Sequence, residues 1–101
     1  MAEKNPWHTD VFHPAPTGWR LVYAAPFEAD DRGEPVEVPM PGWVTQRNDR
    51  TGARRTVPAV HGPEKAIVPA DYDPGFPVVD VLAPGEEISK LHRILARAAT
   101  A

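Results

Sequence analysis

From Gly18 to Ala25 the chain reads GWRLVYAA, with Trp19, Leu21 and Tyr23 alternating against Arg20, Val22 and Ala24. Successive side chains of an extended chain point to opposite faces, so this period of two predicts a half-buried strand. Pro26 ends it, and the charged stretch EADDRGEP (28–35) carries turn chemistry in Asp31, Arg32 and Gly33. Val36 and Val38 restart a short strand before Pro39 and Pro41. The Pro41-Gly42 pair predicts a type II turn, with proline presetting φ and glycine taking the positive-φ position.

WVTQR (43–47) and ARRTVPAV (53–60) flank the turn-rich NDRTG (48–52), a spacing that predicts a hairpin. Pro58 has no N–H to give a ladder, which points to an edge or a bulge at that position. Short strands follow at AIV (66–68) and FPVVDVL (76–82), separated by the turn DYDPG (71–75).

After Gly85 the period changes. Ile88, Leu91, Ile94, Leu95 and Ala98 recur at spacings of three and four, which predicts an amphipathic helix over 86–99. Glu86 and Glu87 suit its N-terminus and Arg93 and Arg97 its C-terminus. Gly85 is the expected N-cap, with Glu86 and Lys90 an i,i+4 pair. So short a helix is marginal alone in water, so its leucines and isoleucines are expected to lid the sheet.

Together these elements predict a mainly β (α+β) fold: a small barrel- or sandwich-like antiparallel sheet of five or six short strands, with one C-terminal amphipathic helix. Residues 18–101 are expected to form a single β-rich domain. Residues 1–17 (MAEKNPWHTDVFHPAPT) hold Pro6, Pro14 and Pro16 beside Trp7 and Phe12, and predict an extended Pro-rich arm with docking aromatics.

Composition narrows the function. A chain of 101 residues is the size of one domain, and its formal charge of −3 argues against duplex nucleic acid as the main partner. Cysteine is absent, which removes disulfides and thiolate zinc sites. No apolar run reaches the length of a membrane span, and a cytoplasmic location is expected. Thirteen prolines and arginine in excess of lysine suggest a GC-rich bacterial or phage genome.

The charges are unevenly placed. Arg47, Arg50, Arg54 and Arg55 crowd the predicted hairpin against Asp49 alone, whereas acids fill 28–37 and 71–87. The hairpin 47–55 could follow a phosphate backbone, or its arginines could simply keep a strand edge from pairing. DYDPG lacks the glycine and glutamate spacing of a calcium loop. His8, His13, His61 and His92 are dispersed without a metal-ligand spacing, and the single serine, Ser89, sits in no nucleophile elbow. No catalytic residue, metal site or cofactor is therefore expected.

The reading that fits these features is a non-enzymatic protein-interaction or assembly module, an accessory of a larger bacterial or phage complex. It would contact a protein partner or a second copy through Trp7 and Phe12 of the arm and Leu91 and Leu95 of the helix, since aromatic and large apolar anchors concentrate binding energy. Its rivals are a nucleic-acid-associated regulator using Arg47, Arg50, Arg54 and Arg55, and a small enzyme or metal site built from His61 and carboxylates.

Overall fold

In the computed structural model, which describes residues 5–26 and 30–100, each alternating stretch is a strand. The elements are β1 (Trp7–Pro14), β2 (Arg20–Ala24), β3 (Pro35–Pro39), β4 (Gly42–Asn48), β5 (Arg54–His61), β6 (Ile67–Pro69), β7 (Val78–Leu82) and α1 (Lys90–Ala99). Two antiparallel sheets, ordered β1-β4-β5-β6 and β3-β2-β7, form the predicted small, mainly β fold. One of them is curled into a half-barrel. The loop predicted over 28–35 lies partly outside the described residues.

Residues 1–4 of the N-terminal arm lie outside the described residues, and its residues 7–14 are extended, as expected, and form the edge strand of the four-stranded sheet, paired with β4 of the same chain. Pro6 and Pro14 stand at its limits, where no ladder bond is lost. Gly42 corrects the turn prediction. It lies inside β4 with no positive φ, opposite Pro14 of β1 and Ala59 of β5. A Cβ there would stand 2.1 Å from the His13 carbonyl oxygen, so the glycine allows β1 to approach.

Pro58 is neither at an edge nor at a bulge, because β5 runs between β4 and β6. Its carbonyl accepts the Ala70 N–H. In an antiparallel ladder a residue's nitrogen points the same way as its carbonyl, away here from β4. The missing N–H therefore costs the β4–β5 ladder nothing.

The core explains the burial of β2. Leu21 and Tyr23 join Met40, Val60 and Ala70 between the sheets, with Trp19 and Trp43 in edge-to-face contact at 5.1 Å beside them. By alternation Val22 and Ala24 face the other way, and α1 packs on β2, β7 and β3 there. Leu21, Val22 and Ala24 are all fully buried, so β2 is a two-sided central strand rather than a half-buried one.

The helix departs most from expectation. It begins at Lys90, capped by Ser89, and Gly85 belongs to the preceding turn with φ +88°. The Glu86 carboxylate accepts the Ala83 N–H. Its carbonyl accepts from the Arg20 guanidinium, so Glu86 lies outside the helix and makes no i,i+4 pair with Lys90. The helix also lids the sheet with the opposite face: His92, Ala96 and Thr100 are buried, and Leu91, Ile94 and Leu95 are exposed.

Ala96 is fully buried, and polar contacts fix the helix at both ends. His92 bonds Asp80 of β7 at 2.8 Å, and Arg32 Nε donates to the Thr100 carbonyl at 3.0 Å. Gly33, at φ +82°, lets its turn touch the helix end, since a Cβ there would lie 2.8 Å from Thr100 Oγ1.

Candidate functional site

The outer face of α1 is an apolar surface left exposed among the described residues. Leu91, Ile94 and Leu95 are 61%, 56% and 43% exposed. At about 100° per residue, these three and Ala98 centre roughly 150° around the helix from the buried His92–Ala96–Thr100 stripe. Lys90 and Arg97 flank this face on one side, Arg97 paired with Glu34 at 3.4 Å, and residues 90–100 contain no acid. An amphipathic helix with its apolar stripe outward is the form in which a helix presents itself to a groove.

A second apolar surface lies where the two sheets fail to close between β3 and β6. Val36, Val38, Tyr23, Val60, Tyr72 and Phe76 line an open groove of about 280 Å³, with Asp73 and His61 among its polar groups. Tyr23 stands edge-on to Phe76 at 6.4 Å and donates from its hydroxyl to the Ala70 carbonyl at 2.7 Å. Burial, with the nearby Tyr72 and Asp71, pushes the Tyr23 hydroxyl up to about 12. It stays a donor, so it anchors the wall of the groove and offers no base.

The sequence-predicted interaction residues fall on separate layers. Leu91 and Leu95 share the exposed face of α1. Trp7 and Phe12 lie on β1, at the edge of the other sheet. Trp7 is half-buried beneath the Arg55 guanidinium, 4.4 Å from its ring centre, and Phe12 lies close over Gly42 and remains 37% exposed. The arm thus docks on its own domain.

The hairpin arginines also divide. Arg47 and Arg54 are cross-strand partners, whereas Arg55 is paired with Gln46 and projects to the opposite face. There a polar row crosses the sheet: Gln46 donates to Thr9, and Arg55 donates to Gln46 at 2.8 Å and to Asp71 at 3.3 Å. Arg55 is a structural residue of this face. Arg47, Arg50 and Arg54 are exposed and make no ion pair among the described residues.

The chemically versatile side chains hold the fold. Ser89 accepts the His92 N–H, and His92 Nδ1 accepts the Ser89 N–H, a reciprocal cap. That acceptor role leaves the proton on Nε2, which donates to Asp80. His8 pairs with Asp49, and His13 bonds Thr45 at 3.0 Å. Among the described residues no three histidine or carboxylate groups converge on a metal-ion geometry, and no helix is long and apolar enough to cross a membrane.

Comparison with protein-family models, curated proteins and solved structures finds no match to this chain. Sequence reasoning missed the groove, because its walls come from β2, β3, β5 and the loop after β6. A signal for Tyr72 and Phe76 was present: both are large aromatics in a turn-rich segment, where a buried role is uncommon.

Proposed function

We propose that this chain is a non-enzymatic, cytoplasmic protein-interaction or assembly module, an accessory of a larger bacterial or phage complex, that docks through the outer face of α1. The observation that carries the reading is the exposure of Leu91, Ile94 and Leu95 side by side on a helix whose buried residues are His92 and Ala96. Burying each such side chain is worth about 1.5–3 kcal/mol, so their shared exposure is a reserve of binding energy. The engagement of Ser89, His92 and Tyr23 in the scaffold supports a role without catalysis.

A photoreactive residue placed at Leu95 tests the reading in the producing cell. A covalent adduct of defined mass is expected at Leu95, absent when Leu91→Asp is added and absent from the same probe at exposed Arg54. Failure of Leu95 to form any adduct would remove the proposal.

One observation favours a second reading. Arg47 and Arg54 oppose each other directly without an acid between them, an arrangement that a bound polyanion would relieve. A nucleic-acid-associated module would then bind single- or double-stranded probes at low salt and lose them when Arg47, Arg50 and Arg54 become alanine. Retention of the probe by that variant would dismiss it.

A further inference from the structure

We propose that Arg47 and Arg54, with the Thr45 and Thr56 hydroxyls beside them, form a phosphate site on one face of the four-stranded sheet. The inference deepens the second reading above, which rests on the same two arginines, by naming the group bound and the contacts that hold it.

Register places these side chains together. The Asn48 N–H donates to the Ala53 carbonyl at 2.8 Å, so Asn48 and Gln46 direct their backbone groups to β5 while Arg47 and Thr45 direct theirs away. Arg47–Arg54 and Thr45–Thr56 are therefore non-hydrogen-bonded pairs, in which facing Cα atoms stand only about 4.5 Å apart. The two pairs share a face and lie two residues, or about 7 Å, apart along the strands. Like charges held directly opposite repel. Both arginines are nonetheless exposed, and neither has an ion pair or hydrogen bond among the described residues. Asp49, the acid that follows this row in sequence, is paired with His8. A phosphate accepts from two guanidinium forks at once and removes the repulsion.

The threonine pair adds a donor whose availability depends on His13. Thr45 Oγ1 lies 3.0 Å from Thr56 Oγ1 and 3.0 Å from His13 Nε2, one hydrogen-bonded chain across β1, β4 and β5. Each hydroxyl has a single hydrogen to give. When His13 Nε2 accepts, Thr45 gives its hydrogen to the ring and Thr56 gives its own to Thr45, which leaves none for a ligand. When Nε2 carries a proton and donates, one of the two threonine hydrogens is free. A bound anion therefore selects the form of His13 with its proton on Nε2, and the free hydroxyl hydrogen turns toward the phosphate.

Inorganic phosphate titrated into the full chain to about 20 mM, against chloride at matched ionic strength, tests the inference by NMR. Saturable shifts are expected at the Arg47 and Arg54 side-chain N–H groups and at Thr45 and Thr56, together with a change of the His13 ring nitrogens to the Nε2–H pattern. Arg47→Ala should weaken phosphate binding at least about tenfold. Arg54→Lys, which keeps the charge and loses the fork, and Thr56→Val, which loses the hydroxyl, should each weaken it at least about threefold. Arg50→Ala should leave it nearly unchanged, and circular dichroism of each variant establishes that the fold is kept. A single-stranded oligonucleotide that moves the same signals and binds more tightly than inorganic phosphate would identify a nucleic-acid backbone as the source of the phosphate. No gain over inorganic phosphate would identify a small phosphorylated molecule.

Equal shifts with chloride, shifts as large at Arg50 as at Arg47, or a His13 Nε2 that stays bare with phosphate present would overturn the inference. Loss of a nucleic-acid probe from the triple arginine variant without any saturable phosphate site would remove the inference and leave the second reading. A phosphate site in a chain that binds no nucleic-acid probe would do the reverse.

Discussion

Single residues are where chemical identity and structural use separate most clearly in this chain. Four arginines near one turn read alike in the sequence, yet Arg55 alone satisfies the buried Gln46 amide and shelters the Trp7 ring. Arg55→Ala is expected to lower stability by about 1–3 kcal/mol, since it orphans a buried acceptor. Arg54→Ala should change stability by less than about 0.5 kcal/mol. Urea denaturation of both variants distinguishes these roles. Asp80 gives the molecule an acid-side dependence. Its carboxyl lies below the ordinary value, first because His92 donates a hydrogen bond to it, then because the Val81 N–H does. A group lowered in the folded state stabilises above its unfolded pKa, and this contribution fades as pH falls through the folded one. Asp80→Asn should therefore reduce stability at neutral pH and flatten its decline in the acid range, as read from denaturation midpoints across pH.

At the scale of elements, the period of a helix and the direction of its packing prove to be separate matters. The spacing of Leu91, Ile94, Leu95 and Ala98 identifies an amphipathic helix, and α1 is one. The face that packs inward carries Ala96, fully buried, between His92, bonded to Asp80 of β7, and Thr100, held by Arg32. Ala96→Leu is accordingly expected to cost about 1–3 kcal/mol by overpacking. Leu91→Gln should leave stability within about 0.5 kcal/mol of the parent. The reverse order in a thermal or urea melt would mean that the leucine face is the one that packs. The helix start follows the same local logic: Ser89 and His92 form a reciprocal cap three residues apart, with histidine in the position that glutamate or glutamine usually fills.

For the molecule as a whole, the arm is part of the sheet and its attachment depends on one glycine. The hydrogen-bonded ladder from Trp7 to Pro14 closes the β4 edge, and a side chain at Gly42 would strike the His13 backbone. Gly42→Ala should therefore destabilise the domain by more than about 1 kcal/mol and free the N-terminal strand, with amide exchange rising over residues 7–14. The same architecture leaves exposed arginines at the hairpin tip, an open groove between β3 and β6, and an apolar helix face on the outer layer.

The local signals in the chain determined strands β2 to β7, its hairpin and the existence of a C-terminal helix, because alternation, turn residues and helical spacing are properties of neighbours in sequence. Partnership across the fold was decided only in three dimensions. Gly42 has the sequence mark of a turn and the structural task of admitting a strand thirty residues away, from Phe12 to Gly42 in the chain. Pro58 takes nothing from the β4–β5 ladder because its nitrogen faces away from β4, a register that no composition reveals. The helix exposes its leucines because the stripe that packs is the one whose His92 and Thr100 reach Asp80 and Arg32, partners brought to it only when segments distant in sequence lie side by side.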